Sequence, residues 1–189
     1  MRYDANVHHR QSIRLPAYGY GSVGAYFVTI CSYRRECIFD DPALRATAEY
    51  VWRKVATASG PADEFVVMPN HVHGIIWITE ARVVGARQRL RSLRSSESRR
   101  TMPSCGRPVS LPRPYAPPPG SLGSIVGSFK SATAKRINNM RGTPGGPVWQ
   151  RNYYERVIRN GQELLAIQQY ILNNPRNWAN DPNHPGNLR

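Results

Sequence analysis

Apolar and polar positions change period several times along the chain, and the changes mark out its elements. The run "AYFVTICS" at 25–32 is dense in aromatic and β-branched residues and predicts a strand. After "DDP" the spacing becomes helical over roughly 42–57, with Leu44, Ala48, Val51, Trp52 and Val55 on one side. Asp41 is placed to cap that helix and Pro42 to open it. "DEFVVMP" and "HVHGIIWIT" predict two strands joined by a tight turn at Pro69 and Asn70. A second helix is expected over 121–140, with Ile125, Val126, Phe129, Ala132 and Ile137 apolar and Lys130, Lys135 and Arg136 elsewhere around it. "GPVWQRNYYERVIRN" alternates as a strand, and "GQELLAIQQYILNNP" closes with a helix stopped by Pro175. In that last helix Leu164, Leu165, Ile167, Ile171 and Leu172 are expected to form the core face. The order β-α-β-β-α-β-α predicts an α+β fold: a ferredoxin-like sandwich with a largely antiparallel sheet and helices packed on one face.

Charge narrows the partners. The 189 residues suit one domain with a real core, and 26 Lys+Arg against 12 Asp+Glu leave a net charge of +14. Such a balance favours a polyanion, nucleic acid or an anionic membrane surface. No apolar run reaches the ~20 residues of a membrane span, and no signal peptide opens the chain, so nucleic acid is the better partner. Cys31, Cys37 and Cys105 lack metal-finger spacing and read as reduced thiols, which points to the cytoplasm, with nucleoid association when DNA is bound.

The charge is uneven. Residues 81–120 hold nine arginines, no lysine and one acid, Glu97, and end in "PPPG". This stretch reads as an insertion in the domain, either an electrostatic grip on phosphates or a solubilising loop. A basic N-terminal arm, about 1–22, carries Arg10 and Arg14 and is read as either a DNA clamp or a solvated terminus.

Candidate chemistry starts at "MPNHVHGIIWI". In a strand His71 and His73 share a face while Val72 takes the other, so the two imidazoles could share one cation, or simply hydrogen-bond locally at the strand start. In the last helix Tyr170 and Asn174 lie one turn apart on a stripe bordering the core face. They could look into a cleft, or be a half-buried tyrosine and a helix-ending amide. Tyr153 and Tyr154 sit between Arg151 and Arg156, an arrangement suited to packing or to stacking single-stranded bases.

Taken in order, these segments resemble the HUH-type tyrosine transposases, specifically the REP-associated tyrosine transposases related to small insertion-sequence transposases. The likeness is carried by "HHRQSIRLP", "GAYFVTICSYRRECIF", "MPNHVHGIIWI", "SIVGSFKSATAKRIN", "VWQRNYYERVIRN" and "YILNNP", nearly the whole chain. It implies His71, His73 and Asn174 as metal ligands, Tyr170 as the nucleophile, and Mg²⁺ or Mn²⁺ as the ion. The implied activity is cleavage and rejoining of single-stranded DNA at hairpin-forming repeats through a 5′-phosphotyrosine. Arg156 stands where these proteins commonly carry histidine, so a role resting on that histidine is not carried over.

The chemistry agrees. A tyrosine hydroxyl, pKa near ~10, is a weak nucleophile until a cation polarises the phosphodiester and stabilises the developing charge. Nitrogen ligands alone would favour Zn²⁺, but phosphate oxygens and waters would complete a mostly oxygen shell suited to Mg²⁺ or Mn²⁺. The competing class is a non-catalytic DNA-binding protein on the same basic surface. Candidate DNA contacts are Arg10, Arg14, Lys130, Arg151, Tyr153, Tyr154 and Arg156.

Overall fold

The computed structural model describes residues 22–80 and 117–187; Arg10, Arg14 and the arginines from 82 to 113 lie outside the described residues. The elements are β1 (Gly24–Cys31), α1 (Pro42–Thr57), β2 (Phe65–Met68), β3 (His71–Ile78), α2 (Leu122–Arg141), β4 (Tyr154–Ile158) and α3 (Gly161–Asn173). A 3-10 stretch, Asn174–Asn180, follows α3 directly. The strands form one sheet in the order β2-β3-β1-β4, with every neighbouring pair antiparallel. This is the expected α+β class, in the strand order of a ferredoxin-like sandwich.

Local signals set the helix ends. The Asp41 side chain accepts from the backbone N–H groups of Ala43 and Leu44, with Pro42 opening α1. Ser121 caps α2 at its start, and Gly142, at φ 64°, supplies the left-handed residue that ends it. In α3, Asn160 accepts from the Glu163 N–H while the Glu163 carboxylate reaches back to the Arg159 N–H.

Strand alternation divides the sheet into two faces. Tyr26, Val28, Ile30, Val72, Ile76 and Ile78 point to one side, where α1 and α2 cover them in the main core. The expectation of helices on a single face holds for α1 and α2 only. α3 docks on the opposite side, where Ile167 and Ile171 pack on Ala25, Phe27 and Ile75. The expected core face of α3 is also corrected. Leu165 is 67% exposed and Leu172 56% exposed. At 100° per residue both lie about 120–140° from the Ile167–Ile171 line, too far round to reach the sheet.

The strand expected over 146–160 is shorter than its alternation implies. The Lys130 ammonium donates to the carbonyls of Gln150, Arg151 and Asn152, and so draws three successive acceptors away from a ladder. Trp149 meets Ser32 in an isolated bridge and packs its ring on Phe39 and Phe129 in the core.

Candidate active site

The register between β1 and β3 sets Thr29 opposite His73 and Cys31 opposite His71, all on the face that α3 partly covers. Both imidazoles are buried, and their Nε2 atoms stand 2.9 Å apart. Their other nitrogens have protein partners: His71 Nδ1 lies 2.8 Å from Asn70 Oδ1, and His73 Nδ1 lies 2.9 Å from Thr29 Oγ1. Of the two readings of the H-x-H motif, local hydrogen bonds and a convergent pair, the fold supplies both at once.

α3 brings Tyr170 over this pair. Its hydroxyl lies 3.3 Å from His73 Nε2, and its ring meets those of Phe27 and His73 edge-on. Tyr170 is 44% exposed, part of it packed and part open to solvent. Burial, then the Asp181 carboxylate, push the hydroxyl above its ordinary range, with the Asn174 side chain pulling the other way. Asn174 ends α3 and is itself buried, and its Oδ1 has no hydrogen-bond partner.

A third donor comes from beyond the helix. Asp181 follows the 3-10 stretch, is buried, and sets Oδ2 3.8 Å from His71 Nε2 and 3.9 Å from His73 Nε2. His71, His73 and Asp181 form a buried group whose ligand atoms all lie within 4.8 Å of one another. Burial and the neighbouring His73 hold His71 down at about 3, leaving it neutral near pH 7. Burial pushes the Asp181 carboxyl up, but the imidazoles and the Asn183 N–H together hold it well below the usual carboxylate range. Sequence reading missed Asp181. It sits in "NDPN", and no periodicity or spacing ties it to histidines more than a hundred residues earlier.

These donors fit a divalent ion. Asp181 Oδ2 and Asn174 Oδ1 are buried oxygens without hydrogen-bond partners, which a cation would satisfy.

The remaining candidates separate. Tyr154 lies on the site face, 39% exposed, with its ring 6.2 Å from Phe27. Arg156 shares that face opposite Phe27 and pairs with Glu163 of α3. Arg151 is exposed. Tyr153 packs against the main core under Lys130, whose ammonium, pushed down to about 8 by burial, is committed to backbone carbonyls.

A protein of Haemophilus influenzae described as uncharacterized is 37% identical to this chain over 193 residues, covering 95% of this chain and 96% of its own length. The two chains belong to one family. No family model matches the chain. Among solved structures, a REP-associated tyrosine transposase bound to a REP hairpin superposes with a TM-score of 0.53 at 18% identity, over 89% of this chain and 74% of the other. This chain therefore shares the fold of that transposase. Among the described residues, no helix is long and apolar enough to cross a membrane.

Proposed function

We propose that the chain is a metal-dependent single-strand DNA endonuclease and strand transferase that acts at hairpin-bearing DNA through Tyr170. The observation that carries this reading is the Tyr170 hydroxyl, 3.3 Å from one imidazole of a buried His-His-Asp group. His71, His73 and Asp181 would hold Mg²⁺ or Mn²⁺, with the Asn174 amide oxygen as a further ligand. A bound ion would polarise the scissile phosphodiester and stabilise charge developing on its oxygens.

The chain's own groups do the rest. The Tyr170 oxygen forms a bond to phosphorus as the bond to the 3′-oxygen breaks, leaving a 5′-phosphotyrosine and a 3′-hydroxyl. The phenolic proton passes to solvent water beside the half-exposed ring, and the departing 3′-oxygen takes a proton from water. Attack by a 3′-hydroxyl on the phosphotyrosine reverses the step and rejoins a strand. Phe27 holds the ring edge-on, and α3 is anchored by Asp63, which accepts from Trp77 Nε1 and Gln168 Nε2. Tyr154 and Arg156 border the site and are placed to stack a base and meet a phosphate. The hairpin seen with the structural neighbour supports single-stranded, hairpin-forming DNA as the partner.

The test is incubation with labelled hairpin-bearing single strands and Mg²⁺, followed by mass spectrometry of the trapped adduct. Cleavage and a nucleotide on Tyr170 are expected, both lost in Tyr170→Phe and cleavage lost in His71→Ala. An adduct on Tyr153 or Tyr154 would overturn the assignment. Tight DNA binding with no cleavage would favour a non-catalytic DNA-binding protein.

A further inference from the structure

The two histidines have different partners, and the difference fixes where their protons sit. Asn70, fully buried in the β2–β3 turn, donates from Nδ2 to the carbonyls of Arg35 at 3.1 Å and Asn183 at 2.7 Å. Carbonyls only accept, so the nitrogen end of the amide must face them and Oδ1 must face His71. An amide oxygen also only accepts, so the hydrogen of neutral His71 is on Nδ1. Its Nε2 is therefore bare and aimed at His73 Nε2, 2.9 Å away.

Two bare nitrogens repel at that distance. With no cation between them, a neutral His73 carries its hydrogen on Nε2 and leaves Nδ1 bare, to accept from the Thr29 hydroxyl at 2.9 Å. With a cation in place, Nε2 of His73 must be bare and its hydrogen must sit on Nδ1. Thr29 can serve both states, because a hydroxyl both donates and accepts; an amide held as Asn70 is cannot.

We infer that Asn70 and Thr29 are positioning residues with opposite tasks. Asn70 locks His71 as a ready ligand, and Thr29 lets His73 change tautomer as an ion enters. The Thr29 half rests on the metal reading above; the Asn70 half does not. As a neutral His73 changes tautomer, one hydrogen leaves its Nε2 and one arrives on its Nδ1 through solvent.

Long-range ¹H–¹⁵N NMR of the full chain with ¹⁵N-labelled histidine, near pH 7.5 with and without Mg²⁺, reads these tautomers directly. His71 should show a protonated Nδ1 in both samples. His73 should change from protonated Nε2 to protonated Nδ1 as Mg²⁺ saturates. Thr29→Val should weaken Mg²⁺ binding by roughly tenfold to a hundredfold, the usual range for a lost partner of a metal ligand, and Thr29→Ser should restore most of it. Asn70→Ala should release His71 into a tautomer mixture. A protonated Nε2 on His71 in the ion-free wild type overturns the Asn70 half without need of any variant. His73 unchanged at Mg²⁺ saturation overturns the Thr29 half. If neither Mg²⁺ nor Mn²⁺ perturbs either ring, the metal reading and the Thr29 half fall together, and the ion-free spectrum still decides the Asn70 half.

Discussion

On one face of the sheet, α1 and α2 bury a continuous set of rings and branched chains, among them Tyr26, Trp52, Phe129, Ile76 and Ile137. On the other, α3 contributes Ile167 and Ile171 to a smaller core with Ala25, Phe27 and Ile75, and the next positions along β1 and β3 are Thr29, His71 and His73. The contrast separates stability from chemistry. Burial of apolar area on the first face supplies most of the driving force, at roughly 25 cal/mol per Å². The second face can then hold buried polar groups, which contribute little to folding and leave two oxygens without partners. One strand pair serves both, because alternate side chains of β1 and β3 belong to different faces.

The sharpest break of this comparison is a double dissociation. Phe129 is 1% exposed, and its ring lies 5.3 Å from those of Trp52 and Trp149. Phe129→Ala should cost about 3–5 kcal/mol in urea unfolding, while whatever protein remains folded still forms adduct. Tyr170→Phe should leave the unfolding free energy within about 0.5 kcal/mol and abolish the adduct. Equal destabilisation by the two variants would mean that the faces are not divided as described.

Gly74 gives the next largest effect, and it lies on the same strand as both histidines. A Cβ there would come within 2.2 Å of Trp52 Cζ2, so the indole of α1 lies directly on the bare backbone. Gly74→Ala should destabilise by about 1–3 kcal/mol through overpacking. Its His73 neighbour points the other way, so Mg²⁺ affinity of the folded fraction should hold. A tenfold loss of affinity would show that strain on one face is transmitted to the other.

How much of this could be read beforehand follows from what each signal encodes. The helix at Pro42–Thr57 and its Asp41 cap were legible, because periodicity and capping are local. The shared face of His71 and His73 was legible for the same reason. The side of the sheet on which α3 docks was not, since a helical stripe records that one face is buried and not against what. Leu165 and Leu172 are apolar but lie too far round α3 to belong to its buried stripe. Thr29, Asn70 and Asp181 reach the histidines through strand register, a turn amide and a returning segment. Contacts of that kind leave no spacing in the sequence.

Ion binding at the site face should stabilise the whole fold. At ten times its dissociation constant, Mg²⁺ should add about 1.4 kcal/mol to the unfolding free energy. Asp181→Ala should remove most of that increment, because it takes away the acid of the buried group. An undiminished increment in Asp181→Ala would show that the ion binds elsewhere.

The smallest effect tests how α3 is held. With Ile167, Ile171 and partly buried Leu164 as its apolar grip, this helix depends on polar anchoring more than α1 or α2 do. Asp63 provides it, accepting from Trp77 Nε1 at 2.6 Å on β3 and from Gln168 Nε2 at 2.8 Å on α3. Both donors are only partly buried, so water can replace the carboxylate in Asp63→Ala and the loss should be about 1 kcal/mol. It should be local: amides of α3 should exchange about fivefold faster, while those of α1 and α2 keep their protection. Cleavage should fall by more than stability does, because the Tyr170 oxygen is positioned only while α3 is docked. Uniformly faster exchange across all three helices would instead make Asp63 part of the global fold, and α3 no weaker than the helices on the other face.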